Sequence, residues 1–250
     1  MQLTDFRVLT FDCYGTLIDW ESGLFAALRP LLTRAVVTLP RDRVLAIFAE
    51  HEARQQAAMP AMKYAELLTE VHIQLACRWR VEPVVEESQA FGASVGDWPA
   101  FGDTVAALQY LRRHFRLVIL SNVDRASFAA TLPRLGVAFD AVYTAEEIGS
   151  YKPDPRNFAY LQAKLAAAGV APGDILHTAQ SLFHDHAPAN AAGLASAWID
   201  RRGDAAEAEA AKGAAAGWGA TSPPPPGVHY DFRFGSLAAM VQAHQANAAA

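Results

Sequence analysis

Arg7–Asp19 reads RVLTFDCYGTLID, and the fold is decided there. Arg7–Phe11 is a short apolar run, the mark of a strand buried on both faces. It stops at Asp12, and Gly15-Thr16 supplies turn chemistry just beyond. Alone, Asp12 reads equally well as a turn or helix-cap residue. The pattern then recurs along the chain. Leu117–Leu120 (LVIL) runs into Ser121-Asn122, and Ala141–Thr144 (AVYT) is followed by Tyr151–Pro155 (YKPDP). Ile175–Ala179 (ILHTA) leads to Gln180–His186 (QSLFHDH), and Ala197–Ile199 (AWI) is a further run. Helical spacing lies between them: Thr104–His114 follows Asp103, a candidate N-cap, and Asn157–Ala168 ends at Gly169, a C-terminal stop. Strands alternating with helices predict an α/β fold with a parallel sheet covered on both faces. Four strand ends then present Asp12, Ser121-Asn122, Lys152 and Asp185 at one edge, where open α/β sheets bind ligands.

The alternation breaks once. From Asp19 to Trp98 there is no strand signal, and Glu21–Arg34, Arg41–Ala57 and Tyr64–Trp79 have helical spacing. The chain is therefore expected to form a discontinuous core, residues 1–18 and 99–250, with a helical cap domain inserted at 19–98. Residues 201–228 hold an Ala-rich stretch, expected to include a short helix, and Pro223–Pro226, expected as a stiff surface loop. Tyr230–Phe234 and Ser236–Ala246 read as a last strand and helix, and the Ala-rich tail is expected to continue that helix and fray.

Of the 250 residues, 52% are hydrophobic and 19% charged, enough apolar material for a core and too much for global disorder. The net charge of −5 argues against a nucleic-acid or anionic-membrane partner. Two cysteines make no disulfide framework. No signal peptide and no membrane-length apolar run is visible, so a cytoplasmic protein is expected.

The order and spacing of these motifs resemble the haloacid dehalogenase-like (HAD) hydrolase superfamily over essentially the whole chain. The resemblance implies a Rossmann-like α/β core with a helical cap, and Asp12 as nucleophile. Backbone N–H groups around Cys13 and Tyr14, with Ser121 and Asn122, would hold substrate oxygens or a leaving group. Lys152 would keep Asp12 ionised, Thr16 would orient it, and Asp185 would fix Lys152 and the hydrolytic water, with His184 the second candidate. Phosphatases of the superfamily carry Asp-x-Asp; here the second position is Tyr14. Asp-x-Tyr-Gly-Thr-Leu instead resembles the type II (S)-2-haloacid dehalogenases, which need no metal or cofactor.

The sequence departs from that branch at three places. The halide-binding Arg is replaced by Ala49, the active-site Tyr by Phe158, and Ser-x-Asn-x-x-Asp by Gln180-Ser181-Leu182-Phe183-His184-Asp185. The pattern is similar throughout to the L-azetidine-2-carboxylate hydrolases, in LTFDCYGTLIDWESG, Gln55-Gln56, DWPAF, TVAALQYL, LVILSNVDR, IGSYKPDP, ILHTAQSLFHDHAPAN and DFRF. That resemblance implies opening of a strained cyclic amino acid to 4-amino-2-hydroxybutyrate. A cationic ring nitrogen is repelled by an Arg and favours an acidic wall, so Glu50 and Glu52 are candidates, with Glu52 preferred. A small carboxylate is thus the expected ligand.

Trp20 and Phe48 are expected to close on Asp12 from the cap, whereas Trp79, Trp98 and Phe183 are expected in the core or between cap and core. The Cys13 side chain should point away from the site because that of Asp12 points in. His184-Asp185-His186 has poor zinc-ligand spacing, and packed histidines with Asp185 facing Lys152 are expected instead. An apolar cap helix offers a surface for a homodimer.

Overall fold

The computed structural model describes residues 1–203 and 223–249; the short helix expected within 204–222 lies outside them. Six strands form one sheet: β1 (Val8–Phe11), β2 (Arg116–Ser121), β3 (Ala141–Thr144), β4 (Ile175–Ala179), β5 (Ala195–Ile199) and β6 (Phe232–Phe234). Their order is β3-β2-β1-β4-β5-β6, and every pairing is parallel. β1 sits in the middle, with Val8 opposite both Arg116 of β2 and Ile175 of β4. The central strand therefore ends beside two others, each delivering its own following residues to the same edge.

Alternate residues of each strand feed opposite faces. Val8, Val118, Leu120 and Ile175 pack with Phe158, Leu161 and Leu165 of α8 (Arg156–Ala167). Leu9, Phe11, Leu117, Ile119 and Leu176 pack on the other face with Leu108 and Leu111 of α5 (Thr104–Leu111) and Leu237 and Met240 of α10 (Leu237–Ala248). Gly169, at φ +74°, closes α8 as expected, with Val170 N–H returning to Leu165 O. Asp103 is the exception. It stands at the start of α5 but makes no side-chain cap. Its carboxylate instead accepts both bonds of Arg201 Nη1, at 2.8 and 3.0 Å, and the Ala238 N–H. A tertiary guanidinium has outcompeted the local cap.

Residues 19–98 are helical: α1 (Trp20–Arg34), α2 (Arg41–Ala58), α3 (Tyr64–Arg78), α4 (Val85–Gly92) and a 3₁₀ stretch to Asp97. The two ends of this insertion are stitched together. Ile18 and Ala100 form an antiparallel bridge, Asp19 N–H donates to Pro99 O, and Phe101 N–H donates to Leu17 O. Leu24, Leu28, Leu45, Leu67 and Phe91 of the insertion belong to the same apolar cluster as Leu9 and Phe11. The insertion is thus seated on the sheet's own core. α4 and α6 (Arg125–Leu135) had no sequence assignment, although Asp124 and Gly136 (φ +68°) are legible start and stop signals for α6. No described helix is long and apolar enough to cross a membrane.

Two helix ends place a non-glycine residue in the left-handed region. After α1, Val36 (φ +52°) donates to Thr33 O and Val37 to Leu32 O; after α3, Arg80 (φ +60°) and Val81 repeat the motif. Such ends favour glycine, and a β-branched side chain there is strained. Val36 is 79% exposed, so its side chain returns little packing. Val36→Gly is expected to raise stability by about 1 kcal/mol in denaturant unfolding.

Candidate active site

The site is built at the ends of β1, β2 and β4. Lys152 Nζ, 1% exposed, donates to Asp12 Oδ1 at 2.9 Å, Asp185 Oδ1 at 2.6 Å and Leu120 O at 2.9 Å. Its backbone is clamped from β2: Asn122 Oδ1 accepts the Lys152 N–H at 2.7 Å and Asn122 Nδ2 donates to Lys152 O at 3.0 Å. Thr16 Oγ1 donates to Asp12 Oδ2 at 2.8 Å and accepts the Gln180 N–H at 2.9 Å. Behind Asp185, His177 Nε2 lies 3.0 Å from Oδ1, and its Nδ1 lies 2.9 Å from Thr10 Oγ1. A polar column thus runs Thr10–His177–Asp185–Lys152–Asp12.

One ammonium shared by two carboxylates leaves them unequal. Burial alone would push Asp185 up, but Lys152 and His177 more than reverse this and hold it well below the usual range. Burial pushes Asp12 up as well; there Lys152 pulls down, Asp185 pushes up, and the net direction is upward. Burial would lower Lys152, yet the two carboxylates raise it. Lys152 therefore tempers the cost of burying Asp12 rather than erasing it, and Asp12 remains the more basic of the two.

A cavity of about 80 Å³ opens over Asp12, against the ~10–15 Å³ that holds one water. Lys152, Asp185, Tyr14, Asn122 and His184 line it from the core, and Trp20 and Glu52 from the insertion. Gly15, at φ +99°, lets the turn pass beneath Trp20, whose Nε1 would lie 3.2 Å from an added Cβ. Glu52 is half-buried; its desolvation there lifts its carboxyl to about 7, against the pull of a 2.7 Å bond from Tyr64 Oη. Glu50 meets Arg54 at 2.5 Å, and of the two acids it is Glu52 that lines the cavity. Burial lowers His184 to about 4 and keeps it neutral near pH 7; its Nδ1 lies 3.2 Å from Ser181 Oγ. His186 packs, bonded to Ser196 Oγ and Ala179 O.

Three expected substrate contacts differ, those of Phe48, Asn122 and Ser121. Phe48 is fully buried and outside the cavity, packed between Trp20 and Phe91, because the apolar face of α2 turns to the core. The Cys13 side chain is buried in the core, as its expected orientation away from the site requires, leaving only its backbone to serve a ligand. The backbone N–H groups of Cys13 and Tyr14 have no protein acceptor among the described residues. Asn122 reaches the cavity wall, but its amide is spent on Lys152. Ser121 is not among the lining residues, and its buried hydroxyl has no partner among the described residues. Conversely, Gln56, Tyr64, Trp98, Gln180 and Ser181 line the cavity and had no assigned substrate role. His177 went unassigned too, although a polar residue inside a fully buried strand is itself a signal.

The donor set does not suit a divalent cation. Tyr14 Oη is 2.8 Å from Thr131 Oγ1, away from Asp12, and supplies no carboxylate. Asp12 and Asp185 already converge on an ammonium, and no described cluster of His, Cys, Asp and Glu could hold a metal.

The model of the haloacid dehalogenase-like hydrolase family matches residues 6–193. Similar solved structures include the L-2-haloacid dehalogenase of Xanthobacter autotrophicus with chloropropionic acid covalently bound, at 18% identity over 96% of this chain and 98% of that one, TM-score 0.77. Another L-2-haloacid dehalogenase shares 20% identity over 95% and 98%, TM-score 0.74. The HAD-hydrolase YfnB from Bacillus subtilis, bound to magnesium, shares 17% over 96% and 99%, TM-score 0.73. No curated protein matches in sequence.

Lys152→Met would leave two buried carboxylates without their cation. It is expected to cost about 3–5 kcal/mol near neutral pH. Asp12 and Asp185 would then bind protons more tightly folded than unfolded. Thermal unfolding of the variant should therefore shift upward as pH falls from 8 to 5, reversing the wild-type contribution of Asp185, whose depressed pKa adds stability that is lost on acidification.

Proposed function

Because the chain belongs to the haloacid dehalogenase-like hydrolases, we propose that it hydrolyses the bond between Cα and a 2-substituent of a small carboxylate through an ester on Asp12. The leading substrate is L-azetidine-2-carboxylate, opened to 4-amino-2-hydroxybutyrate. One observation carries this choice: among the described residues the cavity's lining includes a single cation, Lys152, already bonded to Asp12 and Asp185, while the insertion adds an acid, Glu52. A departing halide needs a free cation; a departing amine is served by an acid.

In this mechanism a lone pair of Asp12 Oδ2 attacks Cα, the Cα–N bond breaks, and its electron pair stays on nitrogen as an amine. Oδ1 becomes the ester carbonyl, under Lys152 Nζ, which stabilises the oxyanion when water adds. Asp185 orients that water and the neutral His184 takes its proton. The ester cleaves, Asp12 regains its charge, and the proton released balances the one the amine takes up. Glu52 faces the ammonium in the bound state. The backbone N–H groups of Cys13 and Tyr14, just after Asp12, hold the substrate carboxylate.

The (S)-2-haloacid reading is supported by the chloropropionate adduct of the Xanthobacter autotrophicus enzyme on the same fold. A phosphatase reading is supported only by the magnesium-bound Bacillus subtilis structure, and Tyr14 opposes it, since its phenol is tied to Thr131 and gives no acid for a leaving alkoxide. Side-by-side assays decide among them. Turnover of L-azetidine-2-carboxylate is expected, with little on (S)-2-chloropropionate, none on aryl phosphates and no loss in EDTA; turnover of the chloroacid alone would sink the ring-opening reading. Asp12→Asn should lower kcat by roughly 10³-fold or more and abolish the Asp12 adduct seen by mass spectrometry.

The acid on the cavity wall sets a pH dependence. Glu52 carries charge only above about 7 in the free protein, so kcat/KM for a cationic-nitrogen substrate should rise with pH through that value. Glu52→Gln should flatten this limb and lower kcat/KM by about tenfold or more at pH 8, while a 2-haloacid should show neither effect.

A further inference from the structure

Helix α3 begins without a cap of its own. Lys63 precedes it and makes no side-chain cap, and a lysine has no acceptor to offer. The first-turn N–H of Ala65 is satisfied instead from the core: it donates to Asp124 Oδ2 at 3.0 Å. Asp124 is 3% exposed and also caps α6, accepting Ser127 N–H on Oδ1 and Ser127 Oγ on Oδ2, both at 2.8 Å. One carboxylate thus serves two helix N-termini, one in the core and one in the insertion.

Neighbouring residues are pinned as well. Tyr151 Oη donates to Met62 O at 2.5 Å, and Lys63 Nζ meets Glu146 Oε1 at 3.3 Å. Met62 to Ala65 are therefore held from three places: the start of α6, the short helix α7 (Ala145–Ile148) after β3, and the residue before Lys152. Tyr64 lies inside this four-residue span. It lines the cavity and holds Glu52.

We propose that Asp124 is a positioning residue: through the Ala65 N–H it fixes the start of α3 against the core, and so sets Tyr64 and Glu52 over Asp12. Tyr151 acts on the same span from the other side. The inference depends on the proposed function only for the substrate used in the kinetic arm.

Asp124→Asn separates the two roles. Its one amide oxygen can still cap α6, where Asn is as good a cap as Asp, but its NH₂ then faces the Ala65 N–H. Hydrogen exchange on the full chain is expected to speed up about tenfold or more at the amides of residues 62–68, with α6 still protected. KM for the substrate that the wild type turns over should rise by about tenfold, with kcat within about twofold. Tyr151→Phe should accelerate exchange over the same residues, and it decides the matter if Asp124→Asn does not fold. Unchanged exchange at 62–68 in a folded variant, or a fall in kcat with KM constant, overturns the proposal. Exchange needs no substrate, so a wrong substrate assignment would leave that arm intact.

Discussion

A single buried ammonium organises this protein. Lys152 is the meeting point of Asp12 from the end of β1, Leu120 O from β2 and Asp185 from the turn after β4. An isolated buried charge is costly, and breaking such a pair leaves an uncompensated partner. All three proton positions of the ammonium are filled, and the carboxylates are bonded further by Thr16 and His177, which makes the arrangement tolerable. The division of charge also suits the proposed reaction. Lys152 and His177 hold Asp185 as the counter-ion, and Asp12 keeps the basicity that the proposed nucleophile needs.

The sheet order makes that meeting point available. β1 lies between β2 and β4, so the residue after β1 has neighbours on both sides, and a strand at either edge would have had one. Strand pleating does the rest. Thr10 and His177 sit at paired positions on the same face and bond to each other, carrying a polar thread through an otherwise apolar layer. Phe158 packs its ring 4.9 Å from that of His177, sealing the thread from solvent.

Strand ends were the most legible feature of the sequence. A strand buried on both faces is mostly apolar, so a polar residue at or just past its end stands out; Asp12, Ser121 and Gln180 are all of this kind. The insertion was legible as helix but poorly as surface. Only the first half of α2 carries large apolar residues, Val44, Leu45, Ile47 and Phe48, and all are buried. Beyond them, Glu50 to Gln56 offers no apolar stripe from which to read the helix phase, so Glu52 could be preferred over Glu50 but Gln56 could not be found. Phe48 was misplaced for a related reason: proximity in sequence to the site does not say which face of a helix meets it. Asp103 and Asp124 show the limit from the other side. Each looks like a local cap, and each is claimed by a distant segment, Arg201 in one case and Ala65 in the other. Tertiary partners of this kind leave no trace in local spacing.

The charge balance of the cavity bears on what can enter it. Asp12, Asp185 and Lys152 together sum to one negative charge, and Glu52 adds a second when ionised. A monoanionic ligand that brought no cation would add to this excess, whereas a zwitterion places its ammonium against it. Glu52 is suited to that difference because burial has lifted it to about 7. Near neutrality the empty site can hold it protonated, which lowers the cost of keeping three carboxylates close together. An arriving ammonium then favours the ionised form, so binding a cationic nitrogen and releasing a proton from Glu52 are linked. The linkage discriminates between ligands by sign of charge rather than by shape, which a cavity this small and this polar could do only weakly on packing alone.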